Sequence, residues 1–201
     1  MIRARARRRF CASALAVTAV ACFGCAQQAR SPAAESWVTL LDASKLEQWR
    51  RVGDANWRVV DGVVQADRGA GYLVSADSYR DVQVRAEFWV DEDANSGVFL
   101  RCQDLKNITP FNSYEVNIWD RTPNPGFGTG SIVTLAKVAP ALKAAGRWNT
   151  FDISARGPHI RVVLNGVQTV ELEDAKHPSG PIAIQYAGGV VRFKRLEVRP
   201  L

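Results

Sequence analysis

The chain has little with which to bind a metal, close a disulfide or build a helical layer. Only two histidines occur, His159 and His177, and neither stands at the short spacing from other ligands that zinc sites use. Four cysteines are present, but Cys11, Cys22 and Cys25 fall near the start and only Cys102 lies in the body. A disulfide framework is therefore excluded. Cys102 has no motif around it that would make it a nucleophile, and it reads as a buried, inert thiol. No glycine-rich phosphate loop occurs, and no repeat at solenoid or propeller spacing. No cofactor is implied, although scattered Asp residues leave calcium open.

Acidic residues are missing from the first 25 positions, and that absence is informative. "MIRARARRRF" carries Arg3, Arg5, Arg7, Arg8 and Arg9, and "CASALAVTAVACFGC" follows, small and apolar. A basic segment, a short apolar segment and then small residues form an export signal. The apolar stretch is shorter than the roughly 20 residues a membrane-spanning helix takes. Arg7-Arg8-Arg9-Phe10 loosely resembles the twin-arginine export pattern. Gly24-Cys25 resembles the bacterial lipoprotein cleavage box, with Ala21-Cys22 as a second candidate; plain secretion with a cut near Ala26 is the alternative. The expected organisation is a signal over 1–25, a tether over 26–36, small and polar with one Pro, and a single domain over 37–201. The expected location is the cell envelope, with a lipid on Cys25 or Cys22 as the only membrane attachment.

Removing the signal removes the charge argument for nucleic acid. The formal net charge is +6, from 26 basic and 20 acidic residues. Without the five leading arginines, 21 basic residues face 20 acidic ones, a balance of +1. Such a chain has no electrostatic footprint for a polyanion.

What is present is strand. "NWRVVDGVVQAD" and "HIRVVLNGVQTVELED" place β-rich runs on both sides of Asp61-Gly62 and Asn165-Gly166. These dipeptides are strong hairpin signals, because a type I′ turn needs positive φ at both central residues. "YRDVQVRAEFWVDE" alternates Val82, Val84, Ala86, Phe88 and Val90 against Gln83, Arg85, Glu87 and Trp89. "SGVFLRC", "SYEVNIWD", "RWNTFDISARG", "GPIAIQYAGG" and "VVRFKRLEVRPL" add further strands. Helical candidates are short, "DASKLEQW" and "APALKAAG", too short for a helical layer. About a dozen short strands without interleaved helices predict an all-β, two-sheet jelly-roll sandwich with short helical turns. "DRTPNPGFGTG" (120–130) is the one long irregular stretch, a loop by its Pro and Gly.

The polar side of three strands raises the question of function. Alternation puts Arg85, Glu87 and Trp89 on one face of the first, Phe99 and Arg101 on one face of the next, and Glu115, Asn117 and Trp119 on one face of the third. If the three pair in one sheet, carboxylates, an amide, Arg and aromatics form one strip suited to a sugar. The alternative is a solvated face with cross-strand pairs such as Glu87 with Arg101, each worth little.

"YRDVQVRAEFWVDEDANSGVFLR", "YEVNIWD", the "GTG" loop, "GRWNTFDISARG", "LNGV" and "GPIAIQY…VRFKRLEVRPL", in this order, resemble the 3-keto-disaccharide hydrolase family. The resemblance covers nearly all of the chain after the signal. It implies a concanavalin A-like jelly roll, with a concave sheet face used for sugar, and a glycoside oxidised at C3 as substrate. Such a substrate allows elimination after loss of the C2 proton, followed by addition of water, or direct hydrolysis by two carboxylates; Glu115 is the expected base or acid, with Glu87 second and Arg101 stabilising an enolate oxygen. Asn117, Trp119 and Gln185 would hold the sugar, and Asp120 would line the loop rim. Asn95 matches the family's Asn-Ser-Gly. The partner implied is an oxidised oligosaccharide or glycoside. A non-catalytic sugar-binding lipoprotein on the same fold is the alternative.

Overall fold

The computed structural model describes residues 36–201; the expected signal, the tether up to residue 35, and Cys22 and Cys25 lie outside the described residues. Thirteen strands follow in order. They are β1 (Val38–Leu41), β2 (Arg50–Gly53), β3 (Arg58–Val60), β4 (Val63–Ala66), β5 (Gly71–Tyr79), β6 (Val82–Val90) and β7 (Asn95–Leu100). Then come β8 (Tyr114–Ile118), β9 (Trp148–Arg156), β10 (His159–Leu164), β11 (Val167–Glu173), β12 (Gly180–Gly188) and β13 (Val191–Pro200). One antiparallel sheet runs β11-β10-β9-β6-β13-β4-β3, with β1 also pairing to β13, and the other runs β2-β5-β12-β7-β8. The protein is the all-β jelly-roll sandwich that the strand count predicts. No helix among the described residues is long and apolar enough to cross a membrane.

Alternation builds the core between the sheets. Val82, Val84, Ala86, Phe88 and Val90 of β6 are buried, while the residues between them are half-buried. Phe88 packs on Phe151 with ring centroids 4.9 Å apart and on Phe193 at 6.3 Å. The facing sheet contributes Val98, Leu100, Tyr114, Val116, Ile118, Ile182 and Ile184 to the same cluster. Cys102 is buried outside that cluster, and burial pushes its thiol up to about 12, so it stays protonated and inert.

Both expected hairpins form. Asp61 and Gly62 have φ of 49° and 76°, Asn165 and Gly166 of 51° and 81°. A Cβ at Gly166 would meet nothing within 4 Å, so the cost of a side chain there is purely conformational. Gly166→Val should therefore lower stability by roughly 1–3 kcal/mol, the scale of a β-branched residue forced to positive φ. Chemical denaturation checks this, and an unmoved midpoint would mean that the turn does not need the glycine.

The two helical expectations fare differently. "DASKLEQW" yields a single 3-10 turn, Leu46–Gln48. "APALKAAG" forms no helix. Asp120 captures it instead, its Oδ2 accepting the backbone N–H groups of Ala144 (2.8 Å) and Ala145 (2.9 Å).

Candidate functional site

The three polar strands do not share a sheet. β6 belongs to the eight-stranded sheet and β7 and β8 to the five-stranded one, so the expected strip divides between opposite outer faces of the sandwich. Glu87 lies on the outer side of the eight-stranded sheet, where Lys194 Nζ donates to its Oε1 at 2.9 Å. Neither a catalytic role beside Glu115 nor a pair with Arg101 is open to it from there. Trp89, on the same face, lies under the Arg192 guanidinium, 4.7 Å from its ring centroid.

Arg101 is also displaced from the expected strip. It follows β7 with a φ of 54°, in the left-handed region, which breaks the alternation that would have set it beside Phe99. Its guanidinium is 1% exposed and donates to the carbonyls of Arg80, Gly157 (2.9 Å) and His177 (3.2 Å). Those bonds occupy the group in tying three loops together, so it is a structural residue rather than an enolate stabiliser.

What remains on the outer face of the five-stranded sheet is compact. Val116 points into the core and Glu115 and Asn117 point away from it. In register, Tyr72, Gln185, Gly97 and Asn117 form one row across β5, β12, β7 and β8, and Val74, Ala183, Phe99 and Glu115 form the next. Gly97 leaves the gap into which the carboxylate leans. A Cβ there would lie 3.3 Å from Glu115 Oε1 and 3.1 Å from Phe99 Cε2.

This face is covered by apolar groups. Val74, Phe99, Cys102, Ile108 and Ala183 form a second buried cluster, with Val52, Tyr72 and Leu105 packed against it. Loop 101–113 supplies Leu105 and Ile108, and Tyr72 donates its hydroxyl to the Ile108 carbonyl at 3.1 Å. Loop 119–136 closes the other side, where Asn117 Nδ2 donates to the Phe127 carbonyl at 2.5 Å. Glu115 is 7% exposed in this setting, and no hydrogen bond reaches its carboxylate from the described residues. Desolvation alone raises its pKa from 4.5 to about 7. Burial also raises the Tyr72 phenol, and the Glu115 charge adds to that.

Two further acceptors on the face lack donors. Asn117 Oδ1 and Gln185 Oε1 are buried without a hydrogen-bond partner, although Gln185 Nε2 donates to Tyr72 at 3.1 Å. Buried polar atoms are nearly always paired, so a carboxyl and two amide oxygens without donors on one face are suited to a ligand rich in hydroxyls. Asn95 opens β7 opposite Gly188 at the margin of this face. Trp119 lies past the end of β8, its backbone N–H donating to Thr129 Oγ1 at 3.0 Å. Asp120 borders clefts beside the loop, with both carboxylate oxygens engaged. Its Oδ1 accepts from Thr129 at 2.6 Å and its Oδ2 holds the 144–145 backbone, so it fastens loops. Tyr72 was not legible as a site residue, because one outward aromatic in "GYLVSAD" carries no motif. Among the described residues no three His, Cys, Asp or Glu side chains cluster as a metal site would require.

Gly97→Ala tests the gap directly. The backbone there is compatible with a side chain, so overpacking should cost roughly 1–3 kcal/mol. Displacing the carboxylate by even a fraction of an ångström should lower turnover or ligand affinity by about tenfold. Full function with the methyl in place would show that the gap is not used.

The jelly roll, together with its family match and structural neighbours, marks a glycosyl hydrolase-like or carbohydrate-binding class. Within it, the chain belongs to the 3-keto-alpha-glucoside-1,2-lyase-like domain family, whose profile matches residues 36–199. No curated protein matches the sequence. Among solved structures, the chain is similar to a candidate glycosyl hydrolase from Parabacteroides distasonis, with 25% identity and a TM-score of 0.70, over 83% of this chain and all of that one. A carbohydrate-binding module of family CBM66 from Bacillus subtilis shares the fold at 13% identity and a TM-score of 0.62, over 76% of this chain and 95% of that one. So does a Bacillus subtilis protein of galectin-like fold, at 12% identity and a TM-score of 0.57, over 82% of this chain and 96% of that one.

Proposed function

We propose that the protein cleaves glycosides whose sugar is oxidised to a ketone at C3, by elimination with Glu115 as the proton-transfer group. The observation that carries this reading is the Glu115 carboxyl, buried without a hydrogen-bond donor from the described residues and pushed up by that burial to about 7, where a group can both take and return a proton at neutral pH. A C3 ketone acidifies the C2 proton. The Glu115 carboxylate takes it, and the C2–H electron pair passes into an enolate. That pair then forms the C1=C2 bond as the C1–O bond breaks, and the departing oxygen receives the proton from Glu115. Addition of water at C1 completes a net hydrolysis. One carboxyl serves both transfers, so the absence of Glu87 from this face is no obstacle, whereas direct hydrolysis uses a pair. Asn117 and Gln185 would accept sugar hydroxyls. Membership of the lyase-like family and the likeness to a candidate glycosyl hydrolase support the reading.

Incubating the protein with a 3-keto-glucoside that carries a chromogenic leaving group tests it. Release of the chromophore, with none from the unoxidised glucoside, is expected. Saturable binding of the sugar without release would assign the protein to the non-catalytic alternative, for which the CBM66 likeness is the fold-level precedent. We further propose that the chain is exported and lipidated at Cys25. Cys25→Ser should move it from the membrane to the soluble fraction. Retention until Cys22 is also changed would shift the site, and a natively soluble protein would refute lipidation.

A further inference from the structure

We propose that the outer face of the eight-stranded sheet carries a second binding site, for a carboxylated sugar. A cleft of about 530 Å³ opens there, within the range of roughly 300–1,000 Å³ that small-molecule sites occupy. It lies on the opposite side of the sandwich from Glu115 and does not depend on what Glu115 does.

Register builds its floor. Arg199, Gln83, Ser154 and Arg161 stand side by side across β13, β6, β9 and β10. Arg85, Asp152, Val163 and Gln168 form the neighbouring row across β6, β9, β10 and β11. Trp37, just before β1, makes a wall. The Arg85 and Arg199 guanidinium carbons lie 4.7 and 5.1 Å from its ring centroid, which fixes the indole and both arginines against each other.

The charges of the cleft do not cancel. Its one carboxylate, Asp152, is taken by Arg85, with Nε to Oδ1 at 2.8 Å. Arg199 donates both Nε (2.9 Å) and Nη2 to Gln83 Oε1, a neutral partner that orients the guanidinium, leaves Nη1 for a ligand and leaves the charge unmatched. Arg161 makes no ion pair or hydrogen bond among the described residues. Glu171 stands opposite it in register but accepts from Gln168 Nε2 at 3.0 Å instead. Glu197, beside Arg85, pairs with Arg195. Two uncompensated guanidiniums thus bracket an amide and a hydroxyl, beside a fixed indole. The planar fork of arginine matches a carboxylate. Gln83 and Ser154 can meet ring hydroxyls, and Trp37 offers an apolar surface to the sugar's C–H groups. A neutral sugar would leave both charges unanswered, and a bare anion would leave the indole and the amide unused.

Titration calorimetry of the protein freed of its first 25 residues, with digalacturonate, cellobiose and sodium sulfate as probes, tests the inference. Digalacturonate should bind saturably and more weakly as salt rises. Arg161→Gln and Arg199→Gln should each weaken it about tenfold or more, as loss of a charge-assisted bond does. Glu115→Gln should leave this affinity unchanged, which separates the result from any outcome at the other face. Circular dichroism of the two arginine variants confirms that they fold. Absence of saturable binding, equal binding of cellobiose, equal binding of sulfate, or undiminished affinity in both arginine variants would each overturn it.

Discussion

Glu115→Gln is expected to leave the fold intact and lower kcat on a 3-keto-glucoside by roughly 10²–10⁴-fold, the scale of a lost general acid–base group. The amide keeps the shape of the side chain over Gly97 and removes only the titrating proton. A second readout needs no substrate. Glu115 has a folded pKa raised to about 7 by desolvation, so the native state holds its proton more tightly than the unfolded chain does. Stability from this group is complete below about 4.5 and is lost as pH rises through about 7, a change on the order of 3 kcal/mol. In the Gln variant that slope should vanish. Comparing urea midpoints of the two proteins at pH 4.5 and pH 8 measures it. Parallel pH profiles would mean that Glu115 is solvated in solution, and the proton-transfer role would fall with its burial. If the slope vanishes but there was never turnover to lose, the carboxyl is a binding group.

Arg101→Met should cost about 3–5 kcal/mol and leave the chemistry of any surviving folded protein unchanged. Arg80, in the turn before β6, Gly157, between β9 and β10, and His177, before β12, all direct carbonyls at the one guanidinium. Methionine fills the volume but donates nothing, and unpaired buried carbonyls together with the lost charge-assisted bonds set that scale. The Asp81 carboxylate, 3.5 Å from the same group, would lose its partner as well. Thermal denaturation beside specific activity separates the roles. An unchanged Tm with abolished turnover would return Arg101 to the reacting atoms.

These two residues show where the sequence is legible. Period-two alternation sorts Val116 inward and Glu115 and Asn117 outward, because a strand that lays one face on the apolar core has no other way to place its valine there. The same rule fails at Arg101, where one left-handed φ ends the strand and reverses the side chain. Alternation is also silent about which sheet a strand joins. Glu87 and Trp89 sit on an outward face, as their spacing requires, yet on the other side of the sandwich, because β6 pairs with β9 and β13 rather than with β7. The Asn-Gly and Asp-Gly turns were readable from two residues each, since positive φ is a local demand. The role of Asp120 was not, because the backbone it holds lies more than twenty residues downstream. Nor could the sequence show that Glu115 is desolvated, which depends on how neighbouring strands and loops without periodicity pack over the face.

β13 has a consequence for how the molecule assembles. It lies between β6 on one side and β4 and β1 on the other, and it follows all three in the chain. Until it is made, β6 and β4 present unpaired backbone edges and the eight-stranded sheet stays in three pieces, β11-β10-β9-β6, β4-β3 and β1 alone. Joining partners so remote in sequence is slow, and open edges in the interval invite pairing with other chains. The sheet therefore cannot close until β13 pairs with all three. One strand thus joins three otherwise separate pieces, so closure of this sheet is a single long-range step.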